Sequence, residues 1–345
     1  MQTTLLPSGL MDVLPPFAAA EFRLIHHFLK TFSGFGYQPV IPPLAEFTDT
    51  LLADQGAATG HHVFRMNDPL STQMLALRAD ITGQVARIAS TSLKHEKRPL
   101  RLCYAGYTLR TAPEALKTLR QHTQVGIERF GDQTTNAVAE VLAIAAHALA
   151  TNGIDDITID LHFPSVMESL LQDFPADTHE SLREAVRLKD AARLKSLKAD
   201  TISALMNISG DATAALTKLT SVKHKAIADA AHAMSSLVDA LKKQKLNATL
   251  TIDLLDLSGY GYYNGIGYAL YWNKAGIEVG RGGCYHTSNG EEAVGFTLYI
   301  NELLEQLGAE AAPTVKIIPY GTPVAEAAKL QKDGFITIFA DSTKG

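Results

Sequence analysis

The stretch Arg120-Gln121-His122-Thr123-Gln124-Val125-Gly126-Ile127-Glu128-Arg129-Phe130 decides how this chain is read, because its alternate residues differ in chemistry. Successive side chains on a strand point to opposite faces. Arg120, His122, Gln124, Gly126 and Glu128 therefore share one face, and Thr123, Val125 and Ile127 take the other. Leu102 to Arg110 alternates in the same way, with Leu102, Tyr104, Gly106, Thr108 and Arg110 together. One side of this pair is core. The other is open to two readings: the solvent side of an antiparallel sheet, or the lining of a polar site.

Working outward, Ala18 to Phe35 has the spacing of an amphipathic helix, with Phe22, Ile25, Phe28 and Leu29 on its apolar stripe. A short strand over Tyr37 to Ile41 stops at Pro42-Pro43. His62 to Met66 and Met74 to Arg78 read as the arms of a hairpin, and Asp80 or Thr82 opens the next helix. The pair His61-His62 reads as a strand edge, since neighbours on a strand face opposite ways. Asn136 to Thr151 is a helix and Ile157 to His162 a strand. Pro164 to Asn247 is rich in Ala, Leu and Lys, and the expectation there is helices without strands. Strand pattern returns at Thr249 to Leu255, followed by a Gly- and Tyr-rich hairpin. Val294 to Leu307 is expected as a helix. After Pro313 a strand (Val315 to Ile318), a helix (Pro323 to Gln331) and a strand (Phe335 to Phe339) are expected. The fold class is α+β, an antiparallel sheet flanked by helices.

Of the 345 residues 46% are hydrophobic and 19% charged, and the net charge is −5. A nucleic-acid-binding surface is marked by a basic excess, which this chain lacks, so no nucleic-acid partner is expected. The two cysteines, Cys103 and Cys284, form no zinc-type spacing, so no metal and no disulfide framework are expected. Met1 to Leu10 has no charged region followed by an apolar one, and no apolar run approaches the roughly 20 residues of a membrane span. The expectation is a soluble, cytoplasmic protein with no membrane contact. No phosphate loop, dinucleotide fingerprint or G-x-S-x-G elbow is present, and no cofactor is expected.

Several segments together resemble histidyl-tRNA synthetase, a class II synthetase. Gly9 to Pro15 is similar to its G-x-x-D-x-L-P opening. Gly36-Tyr37 with Pro42, Pro43, Leu44 and Glu46 resembles the first signature motif, which builds the dimer interface. Leu77 to Thr82 resembles L-R-P-E-G-T. Arg110 stands at the second-motif arginine, and Arg120-Gln121 with Gln124, Gly126 and Glu128 resembles R-Q-F-H-Q-x-G-x-E. Leu257 to Asn264 resembles the histidine-specific R-G-L-D-Y-Y-N, Gly282 to His286 resembles G-G-R-Y-D, and Ala293 to Leu303 resembles the third motif's helix.

The resemblance implies a histidine pocket in which Asp80, Thr82 and Gln124 receive the α-amino group. Glu128 and a tyrosine of the pair Tyr262-Tyr263 would hold the imidazole. On a regular strand those two tyrosines face opposite ways, so one of them is expected in contact unless a bulge intervenes. The residues implied for ATP depart from the family: Ser258 and Glu302 replace arginines, Cys284 replaces the arginine of G-G-R-Y-D, and Ala112 replaces an acid. A serine cannot supply the permanent charge of a guanidinium. With Ser258 there, Arg110 is the candidate partner for the ligand carboxylate.

The stretch after Pro313 is also short of an anticodon-binding domain of order 100 residues. Among the relatives of this family, the regulatory subunit of short-form ATP phosphoribosyltransferase fits both departures. The resemblance then implies a non-catalytic subunit of the first step of histidine biosynthesis. It would bind L-histidine, form a homodimer within a larger hetero-oligomer with the catalytic subunit, and mediate activation and feedback. The alternatives are a divergent histidyl-tRNA synthetase or histidine-activating ligase, and a scaffold whose pocket is a relic. The expected organisation is a synthetase-like core over residues 1–163 and 248–310, a helical insertion over 164–247, and a β-α-β segment over 311–345.

Overall fold

Helix α1 (Phe17–Gly34) buries Ala20, Leu24, Phe28 and Phe32, a row at four-residue spacing. Phe22, expected on that stripe, is 67% exposed, because two residues from Ala20 or Leu24 is about 200° around a helix. Full burial of Phe28 or Phe32 is worth roughly 1.5–3 kcal/mol each. The buried Glu21 carboxylate adds a polar tie, accepting the Thr123 hydroxyl at 2.6 Å.

The computed structural model describes residues 6–53, 62–113, 118–308 and 314–340. Residues 1–5, His61 of the histidine pair and the expected boundary at 310/311 lie outside the described residues. After α1 come β1 (Gln38–Pro39), β2 (Ala45–Phe47), α2 (Thr48–Leu52), β3 (Arg65–Asn67), β4 (Met74–Leu77) and α3 (Thr82–Ser90). The long strands β5 (Leu100–Leu109) and β6 (Gln121–Phe130), helix α4 (Thr135–Ala150) and β7 (Ile157–His162) follow. As expected, β3 and β4 pair antiparallel, and β2 joins them in a small sheet.

Residues 164–247 supply α5 (Pro164–Leu171), α6 (His179–Arg187), α7 (Ala191–Ser196), α8 (Asp200–Met206), β8 (Ser209–Asp211), α9 (Ala212–Leu219) and α10 (Lys225–Lys243). The expectation of helices alone is corrected by β8, which pairs antiparallel with β9 (Ala248–Asp253). Its Ser-Gly-Asp sequence has no β-branched or aromatic residue, so nothing in the sequence marked a strand. The chain continues through β10 (Gly267–Trp272), β11 (Ile277–His286), β12 (Glu292–Tyr299) and α11 (Ile300–Leu307). Here the helix expected from Val294 is corrected: it starts at Ile300. Ala293 to Tyr299 is a central strand between β6 and β11, with Val294, Phe296 and Leu298 in the main core at period two. The tail is the expected β-α-β unit: β13 (Val315–Ile318), α12 (Val324–Lys332) and β14 (Ile336–Phe339), with the strands parallel.

The main sheet runs β1-β5-β6-β12-β11-β10-β7-β9-β8. It is antiparallel except for β1 with β5 and β7 with β9. Its apolar face carries Val125, Ile127, Phe296, Leu298, Leu270 and Ile159 into one core with α1, α4 and α10. On the other face Ile81, Val85, Ala86 and Ala89, from α3 and the residue before it, pack on Leu100, Leu102, Tyr104 and Phe130. That second cover leaves Glu128 beneath protein rather than beneath solvent.

Candidate functional site

Nine of the ten residues of β6 are buried, Gln121 alone being exposed. The polar face read from the sequence is therefore an interior surface, which removes the solvent-side reading. Its strands lie in register: Glu128 stands opposite Gly295 of β12, and Gly295 opposite Gly283 of β11. A β-carbon at Gly295 would overlap the Glu128 carboxylate, and one at Gly283 would press on the Tyr263 ring. The glycines strip the sheet of side chains where the carboxylate lies.

Glu128 is 1% exposed. Tyr285 donates its hydroxyl to Oε2 at 2.9 Å, and Tyr104 lies 3.4 Å from Oε1. The Tyr104 hydroxyl also meets Thr297 Oγ1 at 2.7 Å and Thr82 Oγ1 at 3.2 Å. Burial pushes the Glu128 carboxyl up to about 8; the hydrogen bond from Tyr285 opposes that rise, and the nearby Asp80 charge adds to it. At neutral pH this carboxyl is mostly protonated.

Asp80, Thr82 and Gln124 form one linked group. Gln124 Nε2 donates to Asp80 Oδ2 at 3.0 Å, and its carbonyl oxygen accepts the Ile81 amide at 3.2 Å. Asp80 Oδ1 accepts the Thr82 amide at 2.8 Å. Asp80 thus ties its carboxylate to the first residue of α3.

Tyr262 and Tyr263 do not lie on a strand. They occupy the turn between β9 and β10, so strand alternation does not separate them and both reach the site. Their rings meet edge to face at 5.3 Å, and Tyr262 stacks on Tyr285 at 5.2 Å. The Tyr263 ring rests against Gly259, Gly267 and Gly283. Gly259 has φ +73°, a backbone region that favours glycine.

Thr82, Glu128, Tyr262, Tyr263, Arg281 and Tyr285 are among the residues around a cavity of about 30 Å³. That is room for one or two water-sized groups, not for an amino acid. The polar groups around it are already in mutual contact. Of the expected residues, Thr82, Glu128, Tyr262 and Tyr263 line the cavity, while Asp80 and Gln124 stand behind Thr82. Arg110 is half-buried outside it, with Nε 3.5 Å from the Ala79 carbonyl.

Sequence reasoning missed Tyr104, Tyr285, Thr297 and Arg281. The β5–β6 register puts Tyr104 on the Glu128 face; Tyr285 and Arg281 share the parity of Gly283 on β11. Beside the site, His162 is buried beneath the same turn, 3.7 Å from Asp256, and burial pulls its imidazole down to about 4 despite that carboxylate.

Residues 9–303 match the family model described as histidyl-tRNA synthetase. The ATP phosphoribosyltransferase regulatory subunit of Rhodospirillum centenum is 37% identical over 97% of this chain and 88% of its own length. The chain belongs to the family of ATP phosphoribosyltransferase regulatory subunits, built on the histidyl-tRNA synthetase fold. A solved structure from Bacillus halodurans C, described as an ATP phosphoribosyltransferase regulatory subunit/histidyl-tRNA synthetase, superposes with a TM-score of 0.88 at 22% identity. It covers all of this chain, which spans 94% of it. The Thermotoga maritima ATP phosphoribosyl transferase (HisG:HisZ) complex contains a chain with TM-score 0.63 and 19% identity, over 81% of this chain and 97% of that one.

Ser258, Glu302 and Cys284, three of the four departures at the expected ATP positions, lie in a turn, at a helix start and in the apolar core. Ser258 opens the turn over His162, its amide bonded to Asp256 Oδ1 at 2.8 Å. Glu302 lies in the first turn of α11, where a carboxylate complements the helix dipole. Cys284 belongs to the apolar core on the opposite side of β11 from Tyr285.

Proposed function

We propose that this chain is the non-catalytic regulatory subunit of an ATP phosphoribosyltransferase acting in the cytoplasm, that it binds L-histidine over Glu128, and that binding controls a separate catalytic subunit. The observation that carries the reading is the buried Glu128 carboxyl inside a cage of Tyr104, Tyr262 and Tyr285, in a chain so similar to regulatory subunits. A carboxyl that accepts or shares a proton in a dry aromatic cage suits an imidazole, which can donate from one nitrogen and accept at the other. Thr82, with Asp80 and Gln124 behind it, supplies acceptors on one side for an ammonium group.

The reading extends to assembly. Ile41 and Leu44 are exposed apolar side chains in the first-motif segment, and exposed apolar surface marks interaction sites. A two-fold homodimer would cover them, and catalytic subunits would dock on that dimer. The decisive experiment co-expresses this chain with a short-form catalytic subunit and assays phosphoribosyl transfer with and without L-histidine. The expected result is a stable complex, higher activity than the catalytic subunit alone, and loss of that gain on adding L-histidine. A complex whose histidine response survives Glu128→Ala would move regulation to another site.

A further inference from the structure

Among the described side chains that line the cavity over Glu128, Arg281 is the one cation. It comes from β11, two residues before Gly283, and so shares the face on which Gly283 and Gly295 leave the sheet bare. Glu128 lies two strands away, at spacings of about 4.8 Å per strand, and one two-residue step along, about 6.8 Å. The two α-carbons are thus roughly 12 Å apart, and both residues line the cavity. One end of the cavity is a carboxyl among phenols; the other is a guanidinium.

We infer that Arg281 receives the α-carboxylate of the amino-acid ligand whose imidazole is held by Glu128. The inference rests on the histidine-binding reading above. Ser258 stands where the family resemblance implies an arginine, so the ligand's carboxylate needs a cation from elsewhere. Arg110 points Nε at the Ala79 carbonyl and lies outside the cavity. Arg281 is in the cavity wall and its side chain is 38% exposed, so it touches both the cavity and solvent.

Its present neighbours, the Tyr299 phenol and Glu278, do not close off that role. Glu278 takes the Nε–Nη2 edge, with distances of 2.8 and 2.9 Å. A guanidinium has five N–H donors in two usable edges, and the Nη1–Nη2 edge can take a second carboxylate in a bidentate grip. Glu278 then acts as a positioning residue, fixing the plane of the guanidinium toward the ligand.

The test uses the full chain and titration calorimetry with L-histidine, L-histidinol and histamine, the last two lacking the carboxylate. Wild type is expected to prefer L-histidine by about ten- to a hundred-fold, the range of a charge-assisted hydrogen-bonded pair. Arg281→Gln should bring L-histidine down to the affinity of L-histidinol and leave L-histidinol itself unchanged, which also shows that the variant is folded. Arg281→Lys should recover part of the preference. If Arg281→Gln keeps the full preference, or Arg110→Gln is the variant that loses it, the assignment of Arg281 is overturned while histidine binding stands. If wild type binds none of the three, both the assignment and the histidine reading fall.

Discussion

Gly295 and Glu128 face each other across the β12–β6 ladder, and the glycine's missing side chain is the space the carboxyl occupies. A β-carbon on Gly295 would overlap Glu128 Oε2 and also the backbone carbonyl of Ile127, a group that cannot swing aside. Gly295→Ala should therefore cost about 1–3 kcal/mol, the usual range for overpacking a core. Thermal denaturation measures the loss, and L-histidine titration of the folded fraction should show at least about ten-fold weaker binding as Glu128 is displaced. Unchanged stability would mean that β6 and β12 have freedom to separate.

Glu128 also sets a pH dependence. Its folded-state value is about 8, above the ordinary value near 4.3 of an unfolded glutamate. Between those values the folded chain holds a proton that the unfolded chain has lost, so stability falls as pH rises from about 4.5 to about 8. Glu128→Gln copies the protonated carboxyl in shape and cannot ionise. Relative to wild type, Glu128→Gln should gain Tm by at least about 4 °C at pH 9 and little at pH 5. Equal pH slopes for the two proteins would show that Glu128 stays ionised.

Histidine affinity should trace a bell with its top between about 6.5, the ordinary imidazole value, and about 8. In that window the ligand's neutral imidazole and the protonated Glu128 together carry the one proton that the bound pair shares. Below it the ligand must lose a proton to bind; above it the protein must gain one. Glu128→Gln should abolish the alkaline limb. Titrations from pH 5.5 to 9 decide this, and a flat profile in wild type would remove the shared proton.

The alternation of Gln124, Gly126 and Glu128 against Val125 and Ile127 was legible because a strand repeats every two residues. It marked a polar face; that the face is interior, and that Tyr104 shares it, came from the structure and the register of β5. Tyr262 and Tyr263 were identified, but their joint approach was not, because a turn obeys no such period. Val294 to Leu307 misled for a related reason: it joins a central strand to a helix without a proline or glycine at the junction. Ser209-Gly210-Asp211 carries no strand propensity at all; β9 supplies the pairing. Arg281 was invisible for want of a motif, since its meaning comes from which side of the sheet Gly283 and Gly295 leave open.

The first-motif segment is held rigidly from behind and displays apolar residues in front, which leads to a test of the homodimer. Arg78 Nη1 donates to the Pro42 carbonyl at 3.0 Å, and Gln84 Nε2 to the Pro43 carbonyl at 2.8 Å. Glu46 is fixed in turn by Gln84 at 2.8 Å and by the Nε–Nη2 edge of Arg87, at 2.9 and 2.6 Å. The flanking side chains have no such ties: Ile41 is 91% exposed and Leu44 60%. A pre-ordered segment loses little conformational freedom on association, which favours its use as an interface. The double variant Ile41→Asp/Leu44→Asp should therefore shift the chain from dimer to monomer in sedimentation velocity. Since neither side chain supports the core, its Tm at high dilution should stay within a few degrees of wild type. A variant that still sediments as a dimer would place the two-fold contact elsewhere, and a wild-type chain that is already monomeric would remove the homodimer from the proposal.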